Sequence, residues 1–292
     1  MPYLPAWAKL NLGLEVGAKR RDGYHEIKSV MQTVSLADRL LLEPQADHVS
    51  LEVTGADLPT DARNIAVQAA HLLRDRCRVR CGVHIKLIKR IPSAAGLGGG
   101  SADAAAVLSG LNRLWQLNLS QTDLISLAAD LGSDVPFALL GGTALATGRG
   151  EVVSPLPALP HCCFVLVCPP VTISTTWAYA QLERMSARPD PSPSIDALLF
   201  GLEAGDLASI AANLANSFEL VMAAHFPLIR DIKQKLLAAG ALAASMSGSG
   251  PAVYGLFSDR NKAAAALSVF GSEVAVYVLE PVSRGAGQLV EE

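Results

Sequence analysis

Apolar and polar residues alternate along "LNLGLEV" (Leu10 to Val16) and "GVHIKLI" (Gly82 to Ile88), the period of two that marks a β-strand. The period becomes helical in "RNIAVQAAHLLRDR" (Arg63 to Arg76), "SADAAAVLSGLNRLW" (Ser101 to Trp115) and "QTDLISLAADLG" (Gln121 to Gly132). In "SDVPFALLGGTALATGRGE", which begins at Ser133, Pro136 is expected to break the helical pattern and the paired glycines to turn the chain into a short strand. The apolar run "CCFVLVC" from Cys162 predicts a buried strand, and several helices follow it. Farther on, "ALAASMSGSGPAVYGLF" from Ala241 reads as two apolar runs around a glycine turn. Strands and helices alternate without an internal repeat, which predicts an α+β chain.

At 292 residues the chain exceeds the usual size of one domain, and the proline-rich "SPLPALPH" (Ser154 to His161) supplies a boundary. The expected division is a first domain over 1–154 and a second over 155–278, with the tail of about 279–292 packing back on the first. "RPDPSPS" (Arg188 to Ser194) is expected to be an exposed loop.

Half of the residues are hydrophobic and 17% are charged, which excludes a disordered chain. A formal charge of -3 offers no basic surface for nucleic acid, and Lys19, Arg20 and Arg21 are read as a solvated loop. Lys9 interrupts the early apolar stretch before a signal core can form, and no run reaches the ~18 apolar residues of a membrane span. The expectation is a cytoplasmic protein with a small-molecule partner and no membrane partner, either a monomer or a weak homodimer. The five cysteines, Cys77, Cys81, Cys162, Cys163 and Cys168, include no pair with zinc-ribbon spacing, and the last three are expected to be core residues.

Against this background the stretch "IPSAAGLGGGSADAAA" from Ile91 stands out, with four glycines, Gly96, Gly98, Gly99 and Gly100, just before an alanine-rich helical run. Glycine costs roughly 0.5–1 kcal/mol relative to alanine in regular structure, so a cluster signals unusual dihedrals or a close approach. A P-loop needs lysine after its last glycine, and Ser101 follows instead. A dinucleotide fingerprint needs glycine where Ser101 stands. What both share survives: bare backbone N–H groups at a helix N-terminus, a phosphate-binding arrangement. Asp134, between a helix-ending Gly132 and Pro136, is placed to be a held carboxylate or an ordinary turn residue. Alternation leaves Lys9 either on a solvent face or buried beside an anion.

Three motifs in order resemble those of the GHMP kinases: "PAWAKLNLGLEV" near the N-terminus, "PSAAGLGGGSADAA" from Pro92, and "SMSGSGPAVYGLF" from Ser245. "AKLNLGL", "RRDGYHEI", "LGSDVPF" and "GLGGGSADAAA" are similar to the branch of that family whose substrate carries a cytidine diphosphate. One departure is Ala102, where that branch commonly has a second serine, so one hydroxyl contact to phosphate or metal is lost.

The resemblance implies a two-domain GHMP kinase fold with its active site in the inter-domain cleft. It implies ATP-dependent phosphorylation of the 2-hydroxyl of a cytidine-diphosphate-linked methylerythritol, in the non-mevalonate route to isoprenoid precursors. By the same resemblance Pro92, Ser93, Ala94, Ala95, Gly96, Leu97, Gly98, Gly99, Gly100, Ser101 and Ala102 bind ATP, supported by Gly248, Ser249 and Gly250. The resemblance also implies that Lys9 and Asp134 form the catalytic dyad, in which the lysine charge would keep the carboxylate ionised and orient the acceptor hydroxyl. Asn11, Tyr24, His25, Thr175 and Tyr179 bind the substrate, with Trp177 competing with Tyr179 for the stacking role. Mg2+ is implied by phosphoryl transfer, with Ser101 its one named protein ligand. The alternatives are another small-molecule kinase of the family, such as a homoserine kinase, or a non-catalytic ligand-sensing relative.

Overall fold

Two long strands, β1 (Leu4–Lys19) and β2 (His25–Gln45), form an antiparallel hairpin that organises the first sheet. The computed structural model describes residues 3–185 and 194–288, so most of the "RPDPSPS" segment lies outside the described residues. β3 (Val49–Thr54) and β4 (Gly82–Ile88) extend the sheet beyond β2. β5 (Thr143–Thr147) pairs with the other end of β2, and β6 (Val152–Pro155) pairs with β5. β7 (Cys163–Cys168) starts a second sheet, whereas β8 (Ala215–Asn216) returns to pair parallel with β1. β9 (Ala243–Met246), β10 (Val253–Phe257) and β11 (Ala275–Leu279) complete the second sheet in the order β11-β7-β10-β9.

The helices follow from capping and periodicity. α1 (Ile65–Cys77) starts at Asn64, whose Oδ1 accepts the Ala66 N–H. α2 (Gly99–Leu114) starts at Gly98, and α3 (Gln121–Leu131) carries a full capping box between Ser120 and Asp123. α4 (Val135–Leu140) corrects the expectation for Pro136. The proline lies in the first turn, where a missing N–H costs nothing, so it opens a helix instead of breaking one. α5 (Thr175–Arg184) is capped by Ser174. α6 (Ile195–Ala204) and α7 (Leu207–Ala212) pack near β1, and α8 (Glu219–His225), α9 (Pro227–Ala238) and α10 (Arg260–Ala265) cover the second sheet.

The alanine-rich α2 packs with α1 on the outer face of the first sheet, where Leu40, Leu42, Ile85 and Leu87 meet Leu73, Leu108 and Leu111. A second cluster spans both sheets: Ala8, Leu10 and Leu12 of β1 join Phe164 and Leu166 of β7 and Tyr254 of β10. β1 is therefore buried on both faces, and the tail closes the same region. The Val282 N–H donates to Thr33 O at 2.9 Å, and the Ala286 N–H donates to Ala138 O at 2.7 Å. β7 is buried throughout, and burial pushes the Cys162 and Cys168 thiols up to about 12, as core residues.

Candidate active site

A cleft cavity of about 660 Å³ opens between the two sheets, with Lys9, Asn11, Gly98, Ser101, Asp134, Gly248 and Ser249 along its floor. Lys9 and Asn11 are only 6% and 1% exposed, so the solvent-face option for Lys9 falls away. The β1–β2 register shifts on either side of them, between Trp7 and Lys9 and between Asn11 and Gly13. Such irregularities re-aim side chains, and here both aim at one floor. Lys9 Nζ donates to Asn11 Oδ1 at 2.5 Å and lies 3.6 Å from Asp134 Oδ2, while Asn11 Nδ2 donates to Ser29 Oγ at 2.8 Å.

Asp134 occupies the N-cap position of α4, yet its side chain makes no cap bond. The carboxylate instead faces Lys9, so the turn holds it without consuming it.

The first glycine loop is sewn to this floor. The Lys9 N–H donates to Leu97 O at 3.0 Å, and Ser247 Oγ donates to Gly96 O at 2.9 Å. Gly96 adopts φ +81 with Ser247 O only 2.1 Å from where a Cβ would stand. Gly98 adopts φ +68 and packs on the Lys9 stem, 3.1 Å from a hypothetical Cβ. Residues 92–101 line a second cavity of about 450 Å³ beside the first, and Ser101 borders both. Ala102 does not share this placement: it is fully buried in the α2 core, and its N–H donates to Gly98 O at 2.9 Å. Its assignment to the ATP contacts is therefore corrected, because the helix has already used its only donor. Gly248 and Ser249 line the cleft, whereas Gly250 lies behind them with its N–H on Ser247 O at 3.0 Å.

At the mouth, Tyr24 sits 53% exposed in the hairpin turn, and His25 begins β2. The His25 ring stacks on Tyr179 of α5 with centroids 5.2 Å apart. Its Nδ1 faces Gly17 O at 3.1 Å and its Nε2 faces Glu183 Oε1 at 2.8 Å. Hydrogen bonds from Lys19 and His25 hold the Glu183 carboxyl below its usual range. Burial, with a smaller push from Asp134, raises the Tyr179 phenol to about 12, so it remains a neutral hydroxyl. Trp177 packs edge-on against His225 and Phe226, away from the cleft that Tyr179 lines. Thr175 and Ser249 hydroxyls meet at 3.1 Å, joining α5 to the second glycine turn.

Several residues at the site escaped the sequence reading. Lys89 bonds both Asp38 and Asp103, the latter at 2.6 Å, beneath the second cavity that Lys89 and Asp103 line. Burial, aided by Asp38 and opposed by Lys89, pushes the Asp103 carboxyl up to about 8. An aspartate inside the otherwise apolar "SADAAAVL" was the available signal. Tyr254 donates to Asn11 O at 2.8 Å, and Asn216 Nδ2 donates to Met246 O and Gly248 O at 2.7 and 2.8 Å. These struts fix the floor from the second sheet, and nothing local in the sequence pairs them. Among the described residues no group of three or more His, Cys, Asp or Glu side chains could hold a metal, and no helix is long and apolar enough to cross a membrane.

Residues 64–142 match the GHMP kinases N terminal domain and 195–275 the GHMP kinases C terminal domain. A 4-diphosphocytidyl-2-C-methyl-D-erythritol kinase from Geobacillus kaustophilus is 47% identical over 257 residues, covering 87% of each chain. The solved structure of a 4-(cytidine 5'-diphospho)-2C-methyl-D-erythritol kinase is 36% identical with a TM-score of 0.78, covering 94% of this chain and 98% of its own. A homoserine kinase structure from Cytophaga hutchinsonii has a TM-score of 0.79 at 24% identity, covering 97% of this chain and 95% of its own. Shape alone does not separate the last two, whereas sequence identity does.

Proposed function

The chain belongs to the GHMP kinases, within them to the 4-diphosphocytidyl-2-C-methyl-D-erythritol kinases, and we propose that its cleft transfers a phosphoryl group from ATP to the 2-hydroxyl of that cytidine-diphosphate-linked alcohol. The observation that carries the reading is the Lys9–Asp134 pair, 3.6 Å apart and packed against Gly98 at the start of α2. It sets a carboxylate and an ammonium where a helix N-terminus presents free N–H groups, the two requirements of phosphoryl transfer to an alcohol.

In this reading the donor phosphates lie along residues 96–101, on the backbone N–H groups of a loop in which Gly96, Gly98, Gly99 and Gly100 carry no side chain. Asp134 accepts the hydroxyl proton as the new O–P bond forms and the bond from the γ-phosphorus to the β,γ-bridging oxygen breaks, releasing ADP, and Lys9, steered by Asn11, holds the hydroxyl and the transferring oxygens in line. Mg2+ fits a site whose anions come from the nucleotide, and Ser101, which borders both cavities, is the residue that would hold it. When bound, the metal neutralises charge on the donor phosphates. Tyr24, His25 and Tyr179 receive the cytosine ring. Because both His25 nitrogens already face acceptors, base reading proceeds by exchange of the Glu183 contact.

Asp134→Asn tests the dyad, since it preserves shape while removing the base. Turnover should fall by roughly 10²–10⁴-fold with ATP binding unchanged. Near-normal turnover would reduce Asp134 to a turn residue.

A further inference from the structure

The proposed substrate joins its base to its alcohol through a diphosphate, and the cleft needs a cation along that span. Lys9 is bonded to Asn11 and paired with Asp134, and Lys19 pairs with Glu183 at 2.9 Å. Arg149 is placed differently. It sits in the β5–β6 turn between Gly148 and Gly150, and its Cζ lies 5.0 Å from the centre of the Tyr24 ring. Its Nε pairs with Glu151 Oε1 at 3.5 Å and its charge is felt by the Asp22 carboxyl, yet among the described residues no hydrogen bond occupies its terminal nitrogens.

The turn that carries Arg149 is anchored at both ends of the required path. Toward the mouth, Gly148 O accepts the Ile27 N–H of β2 at 2.8 Å, two residues from His25. Toward the reacting end, Gly150 packs on Ser133, with a hypothetical Cβ 3.4 Å from the Ser133 Cβ, and Ser133 adjoins Asp134. Ser133, Asp134, Arg149 and Tyr24 all line the one cavity. A guanidinium fork matches phosphate oxygens two at a time, and stacking on an aromatic face pre-orients it.

We propose that Arg149 is a specificity-determining residue that binds the diphosphate of the acceptor substrate, between the Tyr24 base platform and the Asp134 carboxylate. This deepens the functional reading above and rests on it. Homoserine and mevalonate carry no such diphosphate, so the arginine would select for the nucleotide-linked alcohol through its anionic bridge as well as its base.

The test is titration of CDP and of cytidine into the wild-type protein, Arg149→Gln and Arg149→Lys, with thermal unfolding and ATP affinity measured alongside. The wild type should bind CDP more tightly than cytidine. Arg149→Gln should weaken CDP binding by roughly 10- to 100-fold, the effect of a lost charge-assisted pair, with cytidine and ATP affinity unchanged. Arg149→Lys, which keeps the charge and loses the fork, should fall between. An unchanged preference for CDP in Arg149→Gln would overturn this inference and leave the functional reading standing. Equal loss of CDP and cytidine would also overturn it, by making the arginine a support for the turn alone. A wild type that binds no CDP would overturn the functional reading and this inference together.

Discussion

Asp134 and Asp103 show how two aspartates in one molecule acquire different work. Asp134 keeps its carboxylate at the cleft surface with a lysine in reach, whereas Asp103 lies buried with Asp38 across a shared ammonium. A carboxyl pushed up to about 8 favours the folded state while it holds its proton. That contribution is largest below the unfolded value near ~4 and is lost as pH rises through about 8. Asp103→Asn removes the titration while keeping a side chain of the same shape. Its stability relative to the wild type should therefore rise between about pH 5 and about pH 8, by roughly 1 kcal/mol per pH unit. Unfolding followed across that range checks it, and parallel profiles for the two proteins would contradict it. The sequence set Asp134 in a stiff turn through its helix-ending glycine and following proline, and left open whether it was more than a turn residue. The Asp38–Lys89–Asp103 group was not legible, because its members are separated by 51 and 14 positions and only the sheet and α2 bring them together.

The glycine loop and α2 form a unit whose local conformation was readable. The four glycines announced bare backbone at a helix start, and α2 does begin there. They are not equivalent, however, and only the fold reveals which constraint belongs to which. Gly98 is held by a left-handed φ and by Lys9, while a Cβ on Gly100 would meet nothing closer than Ile65 Cγ2 at 3.6 Å. Gly100→Ala should thus stabilise the protein by up to about 1 kcal/mol, the gain of alanine over glycine in a helix, while weakening ATP binding by crowding the phosphates. Gly98→Ala should weaken both. Thermal unfolding and ATP titration on the same variants separate the outcomes, and an unaltered ATP affinity in both would remove the phosphate cradle. α4 was misread for a related reason, since Pro136 ends helices in an interior and begins them in a first turn, and periodicity alone does not say which.

Across the molecule, the cleft exists because β1 is shared. Its residues enter the core between the sheets, its Lys9 and Asn11 form the floor, and Ser247 and Tyr254 tie that floor to the second sheet. The three motifs were visible in the chain, but their assembly depends on hydrogen bonds between residues more than 200 positions apart, which no local pattern encodes. The mouth was legible only in part: Tyr24, His25 and Tyr179 line one cavity, whereas Glu183 and Arg149 carried no local signal. A homoserine kinase shares the fold as closely as a cytidine-diphosphate-linked kinase does, so overall shape does not set substrate choice, and the proposed reading assigns that choice to these mouth residues. The deciding measurement is ATP-dependent ADP release by the wild-type protein with 4-diphosphocytidyl-2-C-methyl-D-erythritol, homoserine and mevalonate supplied in turn. Turnover should be strongly preferred with the cytidine-diphosphate-linked alcohol, and a preference for homoserine or mevalonate, or no release above background with any of the three, would contradict the account.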